Sequence, residues 1–359
     1  MRVIDMFEAQ REKMRKVLAQ AGLLWVLVAY VTNAVAQDEI KGSGATFPAL
    51  IYSAWAFAYT KEKRVNVSYK PTGSGEGIRS ISAREVDFGA TDSPLTDVEL
   101  KKQGLIQFPT LVGGVVPVVN LPGIGNGQLK LTGSALAAIF AGKVKTWNDP
   151  ILVALNPTLR LPATKIIRAV REDSSGTTEV FVNYLASAYR AWPSGIGKKV
   201  NWSGEVSAVK GNDGVAQLIK STAGAIGYVS LDRVTKSGLK SVSLQNKAGN
   251  YVMASESSLL AAAINSGLRK DLRASLLNSD GNDSWPITDL TYILVEAEPK
   301  SADAGSRTVK FFYWAMLKGD DIIRGTGFAP LPPGIQARVV RRLSEMKSRD
   351  GKSIEFISM

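Results

Sequence analysis

Three short stretches of this 359-residue chain carry the residue types from which an oxyanion site is built. They are Gly42-Ser43-Gly44-Ala45-Thr46-Phe47-Pro48, Gly73-Ser74-Gly75-Glu76-Gly77 and Asp173-Ser174-Ser175-Gly176-Thr177-Thr178. Each sets small residues and hydroxyls where a helix is expected to begin. A helix start offers about four backbone N–H groups without internal partners, together with the positive end of the helix dipole. Glycine lets that backbone approach a ligand, and Ser or Thr adds O–H donors. One such turn alone is read as a cap; three in one chain make an anion cradle. Arg171 ends an expected strand immediately before the third turn, where its planar fork suits a tetrahedral oxyanion. Asp173 is placed either to hold that fork or to cap the helix. Asp92 is the odd member, since a carboxylate repels an anion unless the anion brings a proton. On local grounds, before Ser93-Pro94, it reads as a turn former.

The chain contains no His and no Cys, which removes the commonest general base, the commonest metal ligands and the thiol nucleophile. Zinc hydrolases and Ser-His-Asp or Cys-His enzymes are excluded. The P-loop pattern Gly-x4-Gly-Lys-Ser/Thr is missing, and Gly73 to Gly77 lacks the Rossmann spacing, which disfavours nucleotides. A net charge of +12 points to an anionic partner. Nucleic acid is not indicated, because the basic residues are scattered. Their one concentration, Arg338, Arg341 and Arg342 followed by Lys347 to Lys352, reads as a solvated helix end.

The elements that must position these residues alternate in the α/β manner. Strands are expected at 65–69, 86–91, 113–119, 166–171, 225–230 and 290–296. Helices are expected at 49–62, 77–85, 96–103, 133–141, 212–220, 255–266, 306–318 and 333–346, and through Val180, Phe181, Tyr184, Leu185 and Ala188, which recur at helical spacing. With 45% hydrophobic residues the chain is large enough for two cores, and two lobes are the default expectation. The amino terminus reads as an address. Met14-Arg-Lys leads into an apolar run from Val17 to Val31 and then into Ala34-Val35-Ala36, a secretory signal cleaved after Ala36, with Met14 rather than Met1 as the apparent start. The mature chain then begins at Gln37 and, with no Cys for a lipid, is free in a periplasm.

In their order along the chain these motifs resemble the periplasmic phosphate-binding proteins of ABC-type phosphate importers. The resemblance runs from about Gly42 to about Gly351. Its landmarks are Gly44 to Pro48, Val86 to Asp92, Phe108-Pro109-Thr110 with Gly113 to Val116, Arg171 to Thr177, Gly211 to Gly214, Gly224 to Val229 and Trp285 to Thr288. It implies a two-lobed type II binding-protein fold of the α/β class, with lobe 1 from 37–116 plus 290–359 and lobe 2 from 117–289. Chain crossings are implied near Val115 to Asn120 and near Thr288 to Val295. By the family pattern Thr46, Phe47 through its backbone N–H, Ser74 and Asp92 contact phosphate from the first lobe. Arg171, Ser175, Gly176 and Thr177 contact it from the second, and Asp173 pairs with Arg171. The chain departs from the pattern at Glu76, which is expected to point to solvent. The resemblance implies no cofactor, no metal and no catalysis. It implies a monomer whose partners are inorganic phosphate and the permease and ATPase subunits of an importer.

Two other functions compete. A receptor for another oxyanion such as sulfate would use the same cradle, but a fully ionised sulfate has no proton to offer Asp92. A phosphate-ester hydrolase lacks an evident nucleophile or water-activating centre here.

Overall fold

The computed structural model describes residues 39–356, so the leader assigned to residues 1–36 lies outside the described residues. Thirteen strands can be named in it: β1 (Glu39–Gly44), β2 (Asn66–Pro71), β3 (Phe88–Thr91), β4 (Leu105–Val119), β5 (Lys130–Leu131), β6 (Ile167–Arg171), β7 (Ser207–Val209), β8 (Ala225–Ser230), β9 (Lys240–Ser241), β10 (Ser243–Gln245), β11 (Tyr251–Val252), β12 (Thr288–Glu296) and β13 (Ala329–Pro330). The main sheet runs β2-β1-β3-β12-β4-β8-β6-β7, with β9 and β13 pairing on β4, and β11-β10-β5 form a second, smaller sheet.

One strand organises this sheet. Through Gly114, β4 pairs antiparallel with β12; from Val115 to Val119 it pairs antiparallel with β8. Its beginning is hidden in the sequence because Pro109 breaks the strand pattern, and β4 starts at Leu105 rather than at the expected 113. The proline and the two glycines each have a local cause. Pro109 lies where the β12–β4 register shifts between Thr291 and Tyr292, and such an irregularity tolerates a residue that has no N–H to give the ladder. A Cβ on Gly113 would lie 2.2 Å from the Phe47 ring, and one on Gly114 would lie 2.6 Å from Leu259. These glycines, inside the expected strand, admit neighbouring side chains.

The helices found at Ala49–Lys63, Asp97–Gln103, Gly133–Phe140, Gly211–Ser221, Glu256–Ile264 and Pro333–Ser344 follow the expected segments to within a few residues, and Gly176–Ala188 carries the expected helical spacing. Thr96 caps its helix with a capping box to Glu99, and Ser175 caps the helix Gly176–Ala188 by accepting the Thr178 N–H at 3.1 Å. Two starts differ from expectation. The helix expected from 306 begins at Ala302, capped by Ser301. The helix expected from 77 begins at Ser74, so most of the second glycine-rich stretch is its first turn. Gly77 is needed there because a Cβ would lie 2.5 Å from the Gly44 Cα, and the true turn residue is Gly73, at φ +104°. In the first stretch, Gly42 to Gly44 belong to β1 rather than to a turn. The short helices Pro150–Leu155, Leu231–Ser237 and Asp320–Ile323 have too few turns to show a period and were not foreseen.

Aromatic side chains fill the interior on both sides of β4. Phe88 meets Phe312 edge-on at 5.0 Å between centroids, and Phe108 meets the same ring at 5.5 Å. Beyond the change of partner, Phe181 stacks on Tyr228 at 4.2 Å. This second group is tied to the polar residues next to it, because the Tyr228 hydroxyl accepts from the Arg171 backbone N–H at 3.3 Å and shares a hydrogen bond of 2.7 Å with Thr178. Packing in that half therefore holds the third turn in place.

Candidate functional site

Asp92 lies just past the end of β3 and is 2% exposed. Three hydroxyls from separate elements converge on its carboxylate. Thr291 of β12 donates to Oδ1 at 3.2 Å, Thr177 of the helix Gly176–Ala188 donates to Oδ2 at 3.2 Å, and Ser74 reaches Oδ2 at 3.5 Å. The Ser74 hydroxyl also accepts the Asp92 backbone N–H at 3.2 Å. Burial raises the Asp92 carboxyl to about 6, against the opposing pull of Arg171 and of the Thr291, Thr177 and Ser74 hydrogen bonds. It is therefore largely an ionised acceptor at neutral pH.

Arg171 ends β6 with its side chain 1% exposed. Its Nε donates to Asp173 Oδ1 at 2.6 Å and its Nη2 donates to Asp173 Oδ2, a bidentate pair that fixes the guanidinium plane. Burial alone would raise the Asp173 carboxyl, but the Arg171 hydrogen bonds and charge, with the Gly211 N–H at 3.0 Å, hold it below its ordinary value. The guanidinium keeps one buried nitrogen, Nη1, without a partner among the described residues. A buried cationic donor left unpaired costs about 1–3 kcal/mol or more, so this atom calls for an acceptor.

The remaining residues join the two sides of this centre. Gly75 N–H donates to the Ser174 carbonyl at 3.1 Å, and Asn212 Nδ2 donates to Thr46 Oγ1 at 2.9 Å. Gly176 sits so near the opposite wall that a Cβ would lie 2.5 Å from Ser74 Oγ and 2.7 Å from Asp92 Cβ. Ser74, Asp92, Gly176 and Thr177 are thus in one place, with Arg171 close enough to act on the Asp92 charge. Ser175 is buried in its capping role, and Thr46 is linked to the same region through Asn212, in the first turn of the helix Gly211–Ser221. The Phe47 side chain is buried, packed edge-on against Phe328 at 5.3 Å. Glu76 turns to Arg79, whose Nη2 donates to it at 2.6 Å, with both side chains about half exposed.

Sequence reasoning missed Thr291, Asn212 and Tyr228 as members of this group. Gly211 to Gly214 and Trp285 to Thr288 were landmarks, but nothing local indicated that Asn212 would bond Thr46 or that a hydroxyl three residues beyond Thr288 would hold Asp92. Ser93 and Glu179 were also missed: the Ser93 hydroxyl donates to Glu179, which pairs with Lys198 at 2.8 Å.

A model of the PBP superfamily domain matches residues 31–316. The chain is 42% identical over 307 residues to the phosphate-binding protein PstS of Haemophilus influenzae, covering 84% of this chain and 91% of that one. It is 38% identical over 340 residues to the protein of the same name from Pasteurella multocida, covering 93% and 98%. In fold it is similar to a high affinity periplasmic phosphate-binding protein solved with phosphate bound, at a TM-score of 0.68 and 20% identity over 87% of this chain and 99% of that one. The two-lobed α/β class expected from the sequence is borne out. With a family model spanning most of its length and two relatives this similar, the chain belongs to the PBP superfamily and, within it, to the family of the PstS phosphate-binding proteins.

Proposed function

We propose that this chain binds inorganic phosphate in the periplasm and delivers it, chemically unchanged, to the permease and ATPase subunits of an ABC-type importer. The names of its relatives support this reading, and one observation carries it: a buried acceptor carboxylate, Asp92, stands beside a buried guanidinium whose Nη1 is unspent. Such a pair suits an oxyanion that needs a cation for its charge and an acceptor for its proton. Thr46, the Phe47 N–H, Ser74 and Asp92 hold the anion from lobe 1, built from 37–116 plus 290–359. Arg171, Ser175, Gly176 and Thr177 hold it from lobe 2, residues 117–289, with Asp173 bracing Arg171. The chain acts as a monomer after loss of residues 1–36, and a mature mass beginning at Gln37 in periplasmic material is the check on that address. The positive net charge draws small anions at long range.

Calorimetry on the mature protein should show one phosphate bound per chain, with sulfate far weaker, and no turnover of a chromogenic phosphate ester. Equal affinity for the two anions would overturn the reading in favour of a general oxyanion receptor, and turnover would overturn it in favour of a hydrolase. Scattering should show a smaller radius of gyration with phosphate, because only a ligand that contacts both lobes favours the closed form.

The contact at Gly176 supplies a sharper test. Alanine there places a methyl group inside the Ser74 and Asp92 contacts, and overpacking of this kind costs about 1–3 kcal/mol. Gly176→Ala is expected to bind phosphate roughly ten- to a hundredfold more weakly. Its thermal midpoint without phosphate should be nearly unchanged if the contact forms only on closure. Unchanged affinity would show that the two walls do not meet at Gly176 around the ligand.

A further inference from the structure

A cavity of about 250 Å³ lies against Asp92, Ser93, Glu179, Asn183, Arg273 and Tyr292, and Asp289 also lines it. Asp289 is in β12, two residues before the Thr291 whose hydroxyl holds Asp92, and alternate residues of a strand share a face. Its Oδ2 is buried and has no hydrogen-bond partner among the described residues. An ionised carboxylate so placed is costly, and it relieves the cost by taking a proton.

The charges around the cavity favour that proton. Asp92 faces it from the end of β3. Glu179 faces it from the helix Gly176–Ala188, already paired with Lys198 at 2.8 Å. Arg273 lines the cavity too, but its guanidinium is engaged by Asp97 at 2.9 and 3.1 Å. Tyr292, on the same strand, donates its hydroxyl to the Leu272 carbonyl at 3.3 Å. Burial, and then the negative charges of Asp92 and Glu179, push the Asp289 carboxyl well above its ordinary value against the pull of the Leu290 N–H.

Glu179 and Asn183 belong to the helix that begins at Gly176 and Thr177. A movement that brings Gly176 and Thr177 onto an anion therefore also closes this wall of the cavity over Asp289. We infer that Asp289 takes up a proton when the site closes on its anion, so that phosphate binding is coupled to a proton held at a residue that does not touch the ligand. The inference rests on the phosphate-receptor reading and on closure.

The sign follows from linkage. A carboxyl whose pKa is higher in the closed state takes up a proton on binding between its open-state and closed-state pKa values. Affinity then falls as pH rises through that window, by up to about tenfold per pH unit. Asp289→Asn has nearly the same shape and no charge at any pH, so it escapes this loss.

The experiment is calorimetry of the mature chain with inorganic phosphate, in two buffers of different ionisation enthalpy, from about pH 6 to about pH 9. The unaltered chain should take up more protons per phosphate than Asp289→Asn, the difference approaching one. Asp289→Asn should also bind phosphate more tightly above neutrality, its advantage growing with pH. Asp289→Ala, a second uncharged variant, should move both readouts the same way. Equal proton counts in the unaltered chain and the variants would overturn the inference, as would variants that lack the growing advantage. Absence of phosphate binding by the unaltered chain would instead sink the receptor reading, which separates the two failures.

Discussion

Replacing Arg171 by alanine is expected to weaken phosphate and sulfate together, by roughly two to four orders of magnitude in Kd. The guanidinium is buried and held in plane by Asp173, with one nitrogen unspent. Removing one member of a buried charge pair costs about 3–5 kcal/mol, in part because it strands the other. That other is Asp173, which would keep its backbone hydrogen bonds, among them the Gly211 N–H at 3.0 Å, and lose its cation. A loss of thermal stability should therefore accompany the loss of binding. Arg171→Lys should rescue little, since a lysine carries the charge but cannot bridge both Asp173 oxygens while presenting a third donor to the anion. Competition calorimetry with both anions is the measurement. A selective loss of one anion, or near-normal binding by Arg171→Lys, would show that the fork is not the common grip.

Asp92→Asn is expected to act on selectivity instead. An ionised Asp92 only accepts, so it suits an anion that brings a proton and faces the lone pairs of sulfate unpaired. A mismatch of that kind is worth about 1–3 kcal/mol, or roughly ten- to a hundredfold in relative affinity. Asparagine can donate as well, and the preference for phosphate should narrow by about that factor. The pH dependence gives an independent handle, because burial raises the Asp92 carboxyl to about 6. Sulfate affinity of the unaltered chain should rise as pH falls toward and below about 6, where Asp92 acquires a proton to donate, and Asp92→Asn should lack that rise. Linkage gives the sign for stability as well. A carboxyl raised on folding favours the folded chain in acid, and this contribution is lost as pH rises through about 6. Unchanged selectivity in Asp92→Asn would return Asp92 to a turn residue.

How far these residues could be read from the sequence depends on how far apart their partners are. Arg171, Asp173, Ser175 and Thr177 were legible because a strand end, a cap and a helix start lie within seven positions, and local chemistry names them. The Asp173 alternatives resolve toward Arg171: its two oxygens bind the guanidinium, while Ser175 supplies the cap. Asp92 was different. Its local context, Ser93-Pro94, reads as a turn, and only the family resemblance pointed to a role; the hydroxyls that surround it come from Ser74, Thr177 and Thr291, the last 199 positions away. Glycine misled in the opposite direction. At Gly77, read as part of a turn, it marks a place where another part of the chain comes too near for a Cβ, and no local pattern distinguishes the two. Asp289 gave no signal, since it lies just before the strand expected at 290–296 and only the fold buries its Oδ2 without a partner among the described residues.

The position of β12 between β3 and β4 also bears on how the chain reaches this state. Strands β3 and β4 are close neighbours in sequence, yet they leave a gap that only residues 288–296 fill. As the polypeptide emerges, its first third can form helices and β1–β3 pairs, but the facing edges of β3 and β4 stay open until the last quarter arrives. Pairing across such a separation is slow, and an open apolar edge invites association with other chains. A product truncated before Thr288 should therefore aggregate rather than persist as a half-sized domain. The intact chain gains a hydroxyl that holds its acceptor carboxylate and the strand that completes the sheet in the same event, because Thr291 arrives with β12.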